Sequence, residues 1–226
     1  MRSNSSVQVR FLPGRQITNN MKIIDNFDLF REKMNWNSPD EFYFVQILIR
    51  RKDGHIEPGV NGNNINRLIK FYTIGSLTDL DKYENEIKSI CEAINGRVYV
   101  HPTKRSFNQI ADECLRITTD MYLSKTNNVG LKAAYSTACG KSFINSDKKY
   151  VIDLDDDAVN QKAEIIEFIE YHCEPFNCVK FQYEVPTAHG IHLITTKFNR
   201  DKFCEHFPNI DVHANNPTLL YFKCLE

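Results

Sequence analysis

The sequence has no C-x-x-C pair and no uninterrupted apolar run near the ~18 residues that a membrane-spanning helix needs. It also has no excess of either charge. The missing C-x-x-C pairs argue against a zinc ribbon or knuckle. The seven cysteines are an odd number in a chain of 226 residues with ordinary core content, so a disulfide scaffold is not expected either. The missing apolar run excludes a transmembrane helix, and an intracellular, cytoplasmic protein with reduced thiols is the expectation. Lys and Arg total 28 against 29 Asp and Glu, so nothing in the overall field attracts a polyanion, and any nucleic-acid contact must rest on a local patch.

What is present is enough for a sizeable interior. The chain is 42% hydrophobic and long enough for one large domain or two small lobes sharing a core. Residues 1–20 hold three arginines, no acidic residue and many Ser, Asn and Gln. They read as a disordered tail or a non-native extension before Met21, with a basic arm for nucleic acid as the alternative. Residues 21–226 are expected to form a single domain.

Aromatic and β-branched runs predict strands at Phe42–Ile49, Leu68–Ile74 and Arg97–Val100. Leu80, Tyr83, Ile87, Ile90, Cys91 and Ile94 recur at helical spacing, as do Phe107, Ile110, Ala111, Cys114 and Leu115 behind a Ser106 cap. Asn127-Asn128-Val129-Gly130 marks the expected boundary between an N-terminal lobe of about 40–126 and a C-terminal lobe of about 127–226. In the second lobe, strands are expected at Lys149–Asp155, Val179–Val185, Ile191–Thr196 and Leu219–Phe222. Helices are expected over Ile165–Cys173 and Lys202–Phe207. Strands interrupted by amphipathic helices, with hairpin-like returns, give an α+β fold in two lobes.

The chemistry concentrates in three segments. Val151-Ile152-Asp153-Leu154-Asp155-Asp156-Asp157 is an apolar strand running into carboxylates. Residues i and i+2 of a strand share a face, so Asp153 and Asp155 can converge on a hard cation, Mg²⁺ or Mn²⁺ rather than zinc. Asp153 lies between apolar neighbours and needs a compensating partner: a metal, a cation or backbone amides. Asp156 and Asp157 read as a turn capping a helix that begins near Ala158. In the second segment, Pro186-Thr187-Ala188-His189-Gly190-Ile191-His192, the glycine allows close backbone approach to a ligand, and a strand holds His192 rigidly enough to meet phosphate. In the third, Asn209-Ile210-Asp211-Val212-His213, Asp211 supplies a further carboxylate if its strand lies beside that of Asp153; as an isolated residue it is a turn aspartate.

Gly140-Lys141-Ser142 ends like a phosphate-binding loop, but Tyr135 stands where the first glycine belongs and no strand precedes it. Lys141, Lys104 and Arg105 remain candidates for phosphate contact, with solvated surface charge as the competing reading.

In order and spacing, these three segments resemble the archaeo-eukaryotic primase superfamily, which includes the primase-polymerases of viruses and plasmids. The resemblance rests on Val151-Ile152-Asp153-Leu154-Asp155, on the small-residue turn leading to His192, and on Ile210-Asp211. It implies a two-lobed primase-like fold with a mixed or antiparallel central sheet, an RRM-like catalytic lobe and flanking helices. It implies a Mg²⁺ or Mn²⁺ site on Asp153, Asp155 and Asp211, His192 on the phosphates of an incoming nucleoside triphosphate, and metal-dependent nucleotidyl transfer on a nucleic-acid template in DNA replication. Arg105 and Lys141 would add nucleotide contacts, and Lys104, Arg105, Lys132, Lys141 and Lys197 template contacts. No helicase loop is present, so a helicase or other replication partner would be a separate chain. Two other functions fit the same residues: a catalytically inactive primase-like module that binds nucleic acid or a partner, and a phosphatase using D-x-D with Asp153 as nucleophile.

Overall fold

The computed structural model describes residues 21–50, 66–125 and 131–225. The expected tail at 1–20, the turn after Arg50 and the proposed lobe boundary at 127–130 lie outside these residues. In chain order the first elements are β1 (Met21–Asp25), α1 (Phe27–Lys33), β2 (Glu41–Arg50), β3 (Asn66–Ile74), α2 (Leu77–Ala93), β4 (Arg97–Val100), β5 (Arg105–Ser106) and α3 (Phe107–Leu123). Then come α4 (Leu131–Lys141), β6 (Lys149–Asp155), α5 (Lys162–His172), β7 (Phe181–Thr187), β8 (Gly190–Thr196), α6 (Arg200–His206), β9 (Asp211–Ala214) and β10 (Thr218–Leu225).

The fold is α+β, with two antiparallel sheets. The first runs β1-β10-β4-β2-β3, with β5 against the start of β2; the second runs β7-β8-β6-β9. The Ser106 cap read from the sequence forms, its side chain accepting from the Gln109 N–H, and the structure adds a second, with the Ser76 side chain accepting from the Asp79 N–H at the start of α2. Helix α2 buries Leu80, Ile87 and Cys91 against the first sheet. Helix α3 buries Ile110, while Leu115, expected on its inner stripe, is 68% exposed.

Period-two alternation along β6 decides where the two halves meet. Ile152 and Leu154 face α5 and α6, packing with Ile165, Ile169, Leu193 and Phe203. Val151 faces the other way and, with Val185 and Ile194, joins the core of the first sheet beside Val45, Val98 and Leu220. The same face of β6 continues beyond Val151 as Asp153 and Asp155, so the apolar contact between the sheets gives way to polar residues at the strand's C-terminal end.

The expected partition at residue 127 does not hold. Helix α4 packs on α3, and its Ala138 and Cys139 share a cluster with Phe42, Phe44 and Ile110. Strand β10 lies in the first sheet between β1 and β4. The physical reason is in its sequence: Leu219, Leu220, Tyr221 and Phe222 are all buried, so both faces of β10 need cover, which suits a central strand. The second sheet is thus built from 149–214 alone. Strand β1 and helix α1, which the residue pattern had not suggested, complete the first.

Candidate active site

Strand β6 is flanked on both sides, and the register places its carboxylates. Asp153 lies opposite His192 of β8 and opposite Asp211 of β9, and Asp155 lies opposite Gly190. Cross-strand partners project to the same face, so Asp153, Asp155, Asp211 and His192 share the face that carries Val151. The adjacency of Asp211 to Asp153, open from sequence, is therefore direct. Asp156 and Asp157 do not cap the next helix: after a 3-10 turn at Val159–Gln161, α5 begins at Lys162 with no side-chain cap.

The partner that Asp153 needs is an imidazole. His192 Nε2 lies 3.2 Å from Asp153 Oδ1, and His192 Nδ1 lies 2.7 Å from the Thr218 hydroxyl. The hydrogen bond from His192 holds the Asp153 carboxyl below the usual carboxylate range against the opposing effect of partial burial, with the electrostatic influence of the neighbouring imidazoles and of Arg50 assisting. The Asp153 side chain is also 41% exposed, so water shares in its stabilisation. Both ring nitrogens of His192 are engaged. As placed, the ring orients Asp153; it does not hold an open donor toward a phosphate, as the sequence reading had it. Asp155 and Asp211 have no side-chain hydrogen bond or ion pair among the described residues.

Two depressions meet at this strand end. The first, a cleft of about 370 Å³, is lined by Asp153, Asp155 and His192 together with Arg50, Arg97, Tyr99, His189 and His213. Arg50 Nη1 donates to the Tyr99 hydroxyl at 3.3 Å. The second, of about 400 Å³, is lined by Asp153, Asp155, Asp157 and Asp211 with Gln161 and His206. Asp153 and Asp155 thus stand on the divide between a cleft rich in Arg and His and an acidic one. Three carboxylates on one face, two of them without an internal partner, form an all-oxygen donor set suited to a hard divalent cation. They are not closed into a cage: among the described residues, no group of three or more His, Cys, Asp or Glu side chains is arranged to hold a metal ion.

Several residues have other roles than the sequence suggested. Arg105 is fully buried. Its guanidinium donates to the Cys139 carbonyl at 2.8 Å, the Thr103 carbonyl, His101 Nδ1 at 2.8 Å and Asn215 Oδ1 at 2.7 Å. Burial pushes its pKa down to about 10, and all three of its nitrogens donate to acceptors inside the fold rather than facing a nucleotide. Lys104, read as either a phosphate contact or solvated charge, is neither: it is buried, with Nζ 2.7 Å from a Glu41 carboxylate oxygen and 3.3 Å from Asn35 Oδ1. Lys141 is exposed at the C-terminal end of α4, which leaves Gly140-Lys141-Ser142 without the strand-loop-helix context of a phosphate loop. The close approach that Gly190 permits is to β6: a Cβ there would sit 2.0 Å from the Leu154 carbonyl oxygen and 2.9 Å from Asp155 Cα, at φ +138°. The glycine seats the carboxylate strand.

The cleft residues missed from sequence are Arg50, Arg97, Tyr99 and His213, and behind them Thr218. His213 was within reach, since it sits two residues from Asp211 and so on its face. The others come from the first sheet, and no local pattern connects them to β6.

Comparison of the chain with protein-family models, with curated proteins and with solved structures finds no match.

Proposed function

We propose that the chain is a metal-dependent nucleotidyltransferase of the primase or primase-polymerase kind, extending nucleic acid on a template from nucleoside triphosphates. One observation carries the reading. Asp153 is flanked in register by His192 and Asp211, with Asp155 on the same face, at the mouth of a cleft lined by Arg50, Arg97 and three histidines.

In this reading Asp153, Asp155 and Asp211 would hold Mg²⁺ or Mn²⁺, which when bound favours the ionised 3′-hydroxyl and offsets the charge of the pyrophosphate leaving group. The chain's own residues do the rest. His192 fixes Asp153 in one orientation and keeps it ionised. Arg50 and Arg97 set positive charge along the first cleft, where a triphosphate would lie. Tyr99 gives that cleft an aromatic wall. Exposed Lys141 and Lys197 remain available to a template backbone, and a helicase or other replication protein would be a separate partner.

A second reading has an observation of its own. Because the carboxylates share a face without forming a cage, a nucleic-acid-binding module without catalysis also fits. Titration with Mn²⁺ followed by electron paramagnetic resonance, with and without nucleoside triphosphate, separates the two. The enzyme reading expects binding that Asp155→Asn weakens at least about tenfold, the loss of one charged ligand. Absence of Mn²⁺ binding by the wild-type chain in both conditions favours the binding module.

A further inference from the structure

Thr218 opens β10 and pairs in register with Val100 of β4, so its backbone belongs to the first sheet. Its side chain does not serve that sheet. The hydroxyl, fully buried, lies 2.7 Å from Nδ1 of His192, a residue of the second sheet. The segment before it is held from outside. Asn215, at φ +64°, accepts from Arg105 through Oδ1 at 2.7 Å and donates through Nδ2 to the Gly140 carbonyl at 3.0 Å. Pro217 then restricts the backbone at and before its own position. Thr218 is delivered to His192 by a clamped turn.

The chemistry of the pair fixes which atom carries which proton. An ionised carboxylate only accepts, so the His192 nitrogen facing Asp153, Nε2, must be the protonated one. In the neutral imidazole Nδ1 is then a bare acceptor, and the buried group in reach that can donate to it is the Thr218 O–H. A wrong tautomer would point a lone pair at the carboxylate.

We propose that Thr218 is a positioning residue: its hydroxyl, reaching across from the first sheet, holds neutral His192 as the Nε2–H tautomer with that N–H on Asp153. The orientation of the central carboxylate thereby depends on the docking of the two sheets. The hydrogen-bond assignment stands on geometry alone; its consequence for turnover rests on the nucleotidyltransferase reading.

The test uses the full chain labelled with ¹⁵N-histidine, free of metal, at about pH 8.5, well above the ordinary imidazole range. Long-range ¹⁵N–¹H spectra are compared for the wild type and for Thr218→Ser, Thr218→Val and Thr218→Ala. The wild type and Thr218→Ser should show His192 protonated on Nε2 alone, with slow exchange of that proton. Thr218→Val and Thr218→Ala should show mixed tautomers, or ring N–H exchange at least about tenfold faster, the loss of roughly one buried hydrogen bond. A wild-type His192 protonated on Nδ1 overturns the proposal by itself, whether or not any variant folds. So do unchanged His192 spectra in Thr218→Val or Thr218→Ala. Template-dependent incorporation is then measured on the same proteins, with a fall in kcat at constant KM expected for the hydroxyl-less variants and recovery in Thr218→Ser. The expected spectra in a wild type that incorporates no nucleotide would uphold Thr218 and remove the enzyme reading.

Discussion

Replacing Arg105 with methionine keeps most of the side-chain volume and removes the guanidinium. That group satisfies two carbonyls, Cys139 and Thr103, together with His101 Nδ1 and Asn215 Oδ1, all around a fully buried position. Each buried acceptor left without a donor costs ~1–3 kcal/mol. Asn215 faces the partly open β9–β10 turn and can recover part of its loss from water, and His101 can shift tautomer, so the expected sum is about 4 kcal/mol. With an m-value of ~2 kcal/mol/M, the urea midpoint should fall by about 2 M. The assay is equilibrium urea unfolding followed by tyrosine and tryptophan fluorescence, with Lys141→Met as the surface control expected to change stability by less than ~0.5 kcal/mol. An Arg105→Met protein as stable as the wild type would refute the reasoning, because a ligand-binding arginine can be removed at little structural cost and a clamp cannot.

Two further substitutions probe the scaffold, one beside the carboxylate strand and one at the start of β2. Gly190→Ala puts a Cβ against the Leu154 carbonyl at a strained φ, and should cost about 3 kcal/mol or more, a drop of roughly 6–12 °C in Tm by calorimetry; an unchanged Tm would show that the β6–β8 approach is not tight. Glu41→Gln leaves Lys104 buried without its counter-charge and should cost ~3–5 kcal/mol at pH 7. Burial alone would raise the Glu41 pKa, but the Asn37 N–H and Lys104 outweigh it and the carboxyl titrates below its ordinary value. Its contribution is therefore complete above the unfolded value of ~4.3 and is lost as pH falls through the lower folded value. Urea midpoints from pH 7 to 3 should show the wild type losing more stability than Glu41→Gln over that window; parallel curves would contradict the pairing.

The elements were legible where a local rule decides them. Ser106 announces a helix start, and the alternation Val151-Ile152-Asp153-Leu154-Asp155 announces a strand with two carboxylates on one face. Even the place of Asp211 was recoverable as a condition, and β6–β9 pairing meets it. What local pattern could not carry is which sheet a strand joins. Leu219–Phe222 reads as a strand in any context, but its position between β1 and β4 follows from long-range cover of both its faces. The same limit hid the cleft's cationic wall, since Arg50 and Arg97 come from the other sheet. His101-Pro102-Thr103-Lys104-Arg105-Ser106 misleads for a related reason: two adjacent cations beside a proline look like a solvated turn until four acceptors and Glu41 close around them. His192 stood out from sequence as a candidate, but its two partners, which local pattern does not reveal, set its geometry, and one of them, Thr218, arrives from the far end of the chain.

The most direct measurement is template-dependent incorporation of nucleoside triphosphates by the purified chain in Mn²⁺ or Mg²⁺, with Asp153→Asn and Asp155→Asn beside the wild type and folding of each verified by circular dichroism. Carboxylates that organise a divalent cation should make each substitution lower incorporation by at least about 100-fold while leaving the fold intact. Incorporation undiminished in both variants, or none by the wild type on any single-stranded template, would contradict the assignment of chemistry to this strand.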